Sequence, residues 1–246
     1  MNPLSQVRRP SHGLLALADP GRGSFDVIRA NVPFRAKEPE PCHLKPEGRW
    51  VRPGKFPSYR NGYSLSYWGQ GQLSFLVLAE VQPSITGIHA RPEFVEWFDG
   101  SVWREHAPDF ALWTPRGPVY VDIEGDAKFR SEATQARSAA LRSELAKRSI
   151  GYRCFRAKPF DAQPRLDRAK TINRFARSRL PEEVLRMIYR AVPANGSSTV
   201  REIAAEYAID ARLCLGGLLH HAWHGRLHVD VAAELNFSAS FRRTRR

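Results

Sequence analysis

Cysteine is scarce in this chain of 246 residues: Cys42, Cys154 and Cys214 stand far apart and form no CxxC pair. That usage excludes a disulfide framework and a cysteine-based zinc site, and it fits a reducing cytoplasm. No apolar run approaches the roughly 20 residues of a membrane span, and no charged-then-apolar secretion signal opens the chain. Acidic charge is also short. Lys and Arg number 38 against 25 Asp and Glu, a formal net charge of +13. Such a balance implies a polyanionic partner, and nucleic acid is the usual one. A membrane surface fits less well, because no long basic amphipathic helix with aromatic anchors is present. Arginine supplies most of the positive charge, which suits bidentate phosphate contacts. The hydrophobic content, 42%, supports a real core, and the length suffices for one large domain or two small ones.

Residues 1–60 are rich in proline and arginine, with Pro39, Pro41, Pro46, Pro53 and Pro57 closely spaced. They read as an extended arm that is disordered or orders on DNA or a partner, with one short strand at Phe25–Ile28. Gly71–Ala79 reads as a mostly buried helix running to about Val81, stopped near Pro83. Strands follow up to His89 and over Glu93–Phe98, then an Asp99-Gly100 turn and a strand over Val102–His106. Glu132–Lys147 reads as a helix with Ala136, Ala139, Ala140, Leu141 and Leu145 inward and Arg137, Arg142, Lys147 and Arg148 outward. Gly151 ends it, and Tyr152–Arg156 alternates as a further strand.

The stretch Pro108–Glu124 holds the chemistry. Phe110, Leu112 and Trp113 make one strand, Thr114-Pro-Arg-Gly-Pro118 a turn, and Val119, Val121 and Ile123 alternate with Tyr120, Asp122 and Glu124 on a second strand. A hairpin of this kind brings Asp109, Asp122 and Glu124 together. Three carboxylates at one place either bind a hard cation, Mg²⁺ or Mn²⁺, or are the acidic face of a solvated hairpin. Between Lys128 and Arg179 there are fifteen Lys or Arg against four Asp or Glu. Arg130, Arg137, Arg156, Lys158, Arg165 and Arg168 in this segment are candidate phosphate contacts. The alternative is a solvated basic linker over 161–180.

From Pro181 the pattern changes. Pro181–Ala191 is a helix, Pro193–Ser198 a loop, and Thr199-Val-Arg-Glu202 a capping box opening a second helix. Asp210 caps a third helix that carries Gly216-Gly217 and stops at Gly225, and Arg226–Val231 alternates like a wing strand. Three helices and a wing over residues 181–246, with a basic tail, make a small winged-helix module that binds DNA or protein. His220 and His224 stand one turn apart, which fits a metal pair or, with no acidic or cysteine partner in register, packing, capping or DNA contact.

Pro108-Asp109, a spacer, then Asp122-Ile123-Glu124 resembles the PD-(D/E)XK nuclease signature, with Glu124 where that family usually has lysine; Lys128 is an alternative source of the charge. The order of elements resembles the restriction-endonuclease-like core. The fold class expected is therefore α/β (an α+β mixed sheet), a nuclease core over 61–160 followed by the winged helix. More closely, Phe56 to Leu235 is similar to the TnsA-like endonuclease subunits of heteromeric cut-and-paste transposases. Phe56-Pro57-Ser58, Pro83, Arg91-Pro92, Pro108-Asp109-Phe110 and Leu219–Asp230 carry that likeness.

The resemblance implies a metal-dependent endonuclease, cytoplasmic and nucleoid-associated, that cuts one strand at the transposon ends. Its implied partners are double-stranded DNA, a DDE-type transposase and an ATPase regulator. The implied site is Asp109 and Asp122 on Mg²⁺ or Mn²⁺, Glu124 at the lysine position, and Gln72 where the family's first helix has a catalytic glutamate. Gln72 and Glu124 depart from the pattern. A degenerate subunit that binds DNA and transposase without cutting, and a stand-alone restriction- or repair-type nuclease, are the alternatives.

Overall fold

The computed structural model describes residues 53–230 and 233–244. Residues 1–52, most of the expected arm and its strand at Phe25–Ile28, lie outside the described residues. The arm's last residues form β1 (Pro53–Pro57), antiparallel to β2 (Ser64–Trp68), with Phe56 opposite Leu65.

Helix α1 (Gly69–Glu80) starts directly after β2 and is buried on nearly every side, Phe75 through Glu80 without interruption. An apolar sequence with no polar stripe dictates this, because such a helix must be covered all round. Strands β3 (Gly87–Ala90), β4 (Val95–Phe98), β5 (Trp103–His106), β6 (Phe110–Thr114) and β7 (Gly117–Glu124) follow. Then come a short helix α2 (Asp126–Phe129), α3 (Glu132–Ala146) and β8 (Gly151–Arg156). The main sheet runs β3-β6-β7-β8; its first three strands are antiparallel and β8 is parallel to β7. Strands β4 and β5 form a separate hairpin. The protein is thus mixed α/β, with parallel and antiparallel pairs in one sheet.

The sheet has two distinct faces because side chains alternate along a strand. Phe110, Leu112, Val121 and Ile123 pack on α1, where Phe75 stacks on Phe110 with ring centroids 5.6 Å apart. Ala111, Tyr120 and Tyr152 pack on Leu141 and Leu145 of α3. The inward face of α3 differs from the expected one. Thr134, Ser138, Leu141 and Leu145 are buried, Ala136 and Ala139 are exposed, and Arg137 turns in rather than out. The cause is the sheet beneath: its α3-facing positions include Asp122 and Glu124, and the helix turns Arg137 toward Glu124. The alanines serve helix propensity instead.

After a 3₁₀ turn (Lys158–Asp161), α4 (Arg165–Arg174) occupies the stretch expected to be a linker. It buries Leu166 and Ala169 in the core around α1 and Ile172 in the C-terminal core. Asn173 donates to the Val77 carbonyl at 3.1 Å and accepts from Trp223 Nε1 at 3.1 Å. Helix α4 is therefore a wall shared by both cores.

The C-terminal part contains α5 (Glu182–Ala191), β9 (Ser197–Thr199), α6 (Val200–Glu206), α7 (Ala211–Trp223), β10 (Leu227–Val229) and β11 (Ser240–Arg243). Thr199 and Glu202 form the capping box, and Asp210 accepts from the Arg212 and Leu213 amides. Two strands of this part went unrecognised in the sequence, as β1 and β2 did earlier in the chain: β9 within the expected loop, and β11 within the basic tail. They complete an antiparallel sheet ordered β10-β11-β9, centred on a strand whose Phe241 is fully buried. Gly217 has a packing role, since a Cβ there would lie 2.5 Å from Ile188 Cδ1 of α5.

The corrected face of α3 is testable by urea denaturation. Leu141→Ala is expected to cost about 2–5 kcal/mol, whereas Ala139→Gln should stay within about 0.5 kcal/mol of wild type.

Candidate active site

Asp109 immediately precedes β6, and the Phe110–Val121 register places it opposite Asp122 on the face turned to α3. The two strands are clamped through these residues. The Ile123 amide donates to Asp109 Oδ2 at 2.7 Å, and the Asp109 amide donates to Asp122 Oδ1 at 3.1 Å. The Arg91 amide donates to the Asp109 carbonyl at 2.9 Å. Arg91 is itself buried, has a left-handed φ of 44°, and lies with its guanidinium 4.0 Å from the centre of the Trp68 ring.

Asp122 is almost wholly enclosed, with 1% exposure. Its Oδ2 accepts from Tyr152 Oη at 2.6 Å and from His106 Nε2 at 2.8 Å. Glu124, two residues on, points at cations instead. Arg137 of α3 reaches its Oε1 at 2.5 Å and Lys128 its Oε2 at 3.2 Å.

The electrostatics follow from this arrangement. Burial, then the neighbouring charges of Asp122 and Glu124, hold the Asp109 carboxyl well above the usual carboxylate range. Burial opposes charge on Asp122 too, but hydrogen bonds from His106, Tyr152 and the Asp109 amide outweigh it and place that carboxyl below its ordinary value. Burial and Asp122 push the Tyr152 phenol up, so it stays a donor. For Arg137, burial opposes the charge while Asp122 and Glu124 more than restore it.

The expected site is thus assembled in part. Asp109 and Asp122 are adjacent, and Glu124 lies beyond them with its carboxylate taken by cations. Gln72 sits on α1, which packs on the opposite face of the sheet, and its Oε1 accepts from the Trp68 amide at 2.7 Å at the start of that helix. The buried acid of α1 is Glu80, at the helix's other end, where Ser58 and the Arg60 amide donate to it at 2.9 and 2.7 Å. His106, Tyr152 and Arg91 were missed as site residues, and Arg137 was expected on phosphate rather than on Glu124. Tyr152 had a legible signal, since its parity on β8 matches the buried face. Arg137 had none, because on an arginine-rich helix an inward arginine looks like the outward ones.

Of the proposed phosphate contacts, Arg130, Arg156, Lys158 and Arg165 are exposed and Arg168 is half-buried. Arg156 pairs in register with Glu124, so Arg156 and Lys158 leave the sheet at the site's edge. Arg137 is the exception, being held inside by Glu124. Arg165 and Arg168 ride on α4, in the layer beyond α1.

Two oxygens, the second of Asp109 and the Asp122 Oδ1 beside it, retain acceptor capacity. This donor set suits a hard divalent cation that keeps most of its water, as Mg²⁺ does. Among the described residues no group of three or more His, Cys, Asp and Glu side chains is arranged to hold a metal ion.

The C-terminal histidines pack. His220 Nδ1 donates to the Phe175 carbonyl at 2.9 Å and His221 Nε2 to that of Leu185 at 2.7 Å. Burial lowers both pKa values below the ordinary 6.5. The unfolded chain therefore binds more protons on these rings, and the stability they contribute is present above about pH 6.5 and lost as pH falls. Thermal melts are expected to drop between about pH 7.5 and pH 5, with a shallower slope for the His220→Gln, His221→Gln double variant. Among the described residues no helix is long and apolar enough to cross a membrane. No protein-family model matches this chain, and no curated protein matches it significantly.

Proposed function

We propose that the chain is a metal-dependent DNA endonuclease subunit that cuts one strand at the ends of a mobile element beside a separate DDE-type transposase. The observation that carries this reading is the Asp109–Asp122 pair. The two carboxylates face each other across β6 and β7, and charge repulsion and burial make a cation their natural complement. The order α1, β3-β6-β7, α3, β8 supports a restriction-endonuclease-like core. The order α5, β9, α6, α7, β10, β11 supports a winged helix behind it. The net charge of +13 supports DNA as the substrate, and such a role belongs in the cytoplasm with the nucleoid.

In this reading Asp109 and Asp122 hold Mg²⁺ or Mn²⁺. When bound, such an ion acidifies a water and stabilises the charge that builds on the phosphate. His106 and Tyr152 fix the Asp122 carboxylate, so its free lone pair keeps one direction. Arg137 supplies, from α3, the positive charge that the family's lysine would bring from β7. Glu124 holds that guanidinium and accepts a hydrogen bond from the attacking water. Arg130, Arg156 and Lys158 bind neighbouring phosphates, and the winged helix meets DNA, the transposase or an ATPase regulator.

A second reading is favoured by Glu124 being neutralised by Arg137 and Lys128 and by Gln72 being spent on a helix start. It is an assembly subunit that binds DNA and transposase without cutting. A stand-alone nuclease differs from both in needing no partner.

Cleavage of labelled DNA carrying the element's ends, with and without the transposase, in Mg²⁺ and Mn²⁺, separates the three. Wild type is expected to cut one strand with the transposase present. Asp109→Ala should lose roughly a hundredfold or more in rate with DNA binding retained. Arg137→Ala should lose a comparable amount, and Arg137→Lys should recover part of it. No cleavage in any combination, with binding intact, leaves the assembly subunit. Cleavage independent of the transposase leaves the stand-alone enzyme.

A further inference from the structure

We propose that the tip of the β4–β5 hairpin is a docking surface for a basic segment, carrying lysine or arginine, of a protein partner. Phe98, Val102 and Trp103 are 54%, 46% and 65% exposed, and they gather at this one tip. Phe98 and Trp103 stand directly opposite each other, ring centroids 5.7 Å apart.

The tip is firmly built. Asp99 accepts from the Ser101 amide at 2.9 Å, the Ser101 hydroxyl at 2.8 Å, the Val102 amide at 2.9 Å and Arg104 Nε at 2.7 Å. At the other end of the hairpin, Val95 packs with Leu141 and Leu145, and His106 is bonded to Asp122. The aromatic pair is therefore held out in water from a rigid base, which is how a preformed contact surface is made.

The charge of this surface names its partner. By the register, Phe98 and Trp103 share a face with Glu96 and Glu105, which are themselves directly opposite each other. Both glutamates are exposed, and neither is in an ion pair among the described residues. Like charges in that position repel, and a cation between them removes the repulsion. From Val95 to His106 the chain has Glu96, Asp99 and Glu105 against Arg104 alone, within a protein of net charge +13. The phosphates of a nucleic acid are repelled here. A lysine or arginine is attracted twice, by the paired carboxylates and by the faces of Trp103 and Phe98. Tryptophan and arginine are both enriched among interface hot spots. None of this rests on the nuclease reading.

The test uses the full chain and a fluorescein-labelled nona-arginine peptide, followed by fluorescence anisotropy. Glu96→Lys with Glu105→Lys, and separately Trp103→Ala, should each weaken binding about tenfold or more with unchanged melting temperature. Amide exchange on the wild type should slow over residues 95–105 on adding peptide. Peptide binding that is absent, is unchanged in both variants, or protects another region overturns the proposal. Weaker binding of duplex DNA by Trp103→Ala, with the peptide unaffected, assigns the surface to nucleic acid instead. Self-association of wild type that Trp103→Ala abolishes, seen by sedimentation, assigns it to a second copy.

Discussion

The structure depends on how it accommodates negative charge between β7 and α3. Asp122 lies at 1% exposure in the middle of the main sheet, where an unpaired carboxylate would cost several kcal/mol. Its acceptors are answered from three directions: the Asp109 amide, Tyr152 on β8 and His106 on β5. Each answer fixes an element. The β6–β7 pairing, the parallel placement of β8 and the seating of the β4–β5 hairpin all converge on one carboxylate. Glu124 repeats the demand one step along and recruits Arg137, which decides the rotation of α3.

That constraint also explains how the candidate site is divided. Among the described residues the Asp109 side chain is tied down by the Ile123 amide alone, through one oxygen, and it is the half-buried member of the trio. Asp122 is positioned and Glu124 is neutralised. A site with one lightly held, one fixed and one compensated carboxylate differs from three equivalent ligands. Gln72 can be neutral because its work lies at the Trp68 amide. Glu124 can be acidic because the opposite charge comes from a neighbouring helix.

Much of this was legible in the sequence where the signal is local. The alternation of Val121 and Ile123 with Asp122 and Glu124 gave the two faces of β7. The capping box at Thr199–Glu202 and the cap at Asp210 gave two helix starts, because such caps are satisfied within one turn. What was not legible depended on partners distant in the chain. Arg137 turns inward because of Glu124, thirteen residues back. Ser240–Arg243 reads as a charged tail, yet it is a central strand because β9 and β10 lie on either side of it. His106 joins the site only once its hairpin folds back. The arginines of α4 drew attention to charge, although Leu166, Ala169 and Ile172 beneath them determine where that helix sits.

Helix α4 bears on how this chain can change by exchange of parts. Its two ends lie in different cores, and Asn173 joins α1 to α7 through a single side chain. A crossover placed within 161–180, where composition suggests a seam, would part Leu166 from Ile172 and leave both halves with an uncovered apolar patch. The N-terminal half and the C-terminal half therefore hold together as one piece, and a hybrid with another C-terminal module has to carry α4 along with its contacts to both sides.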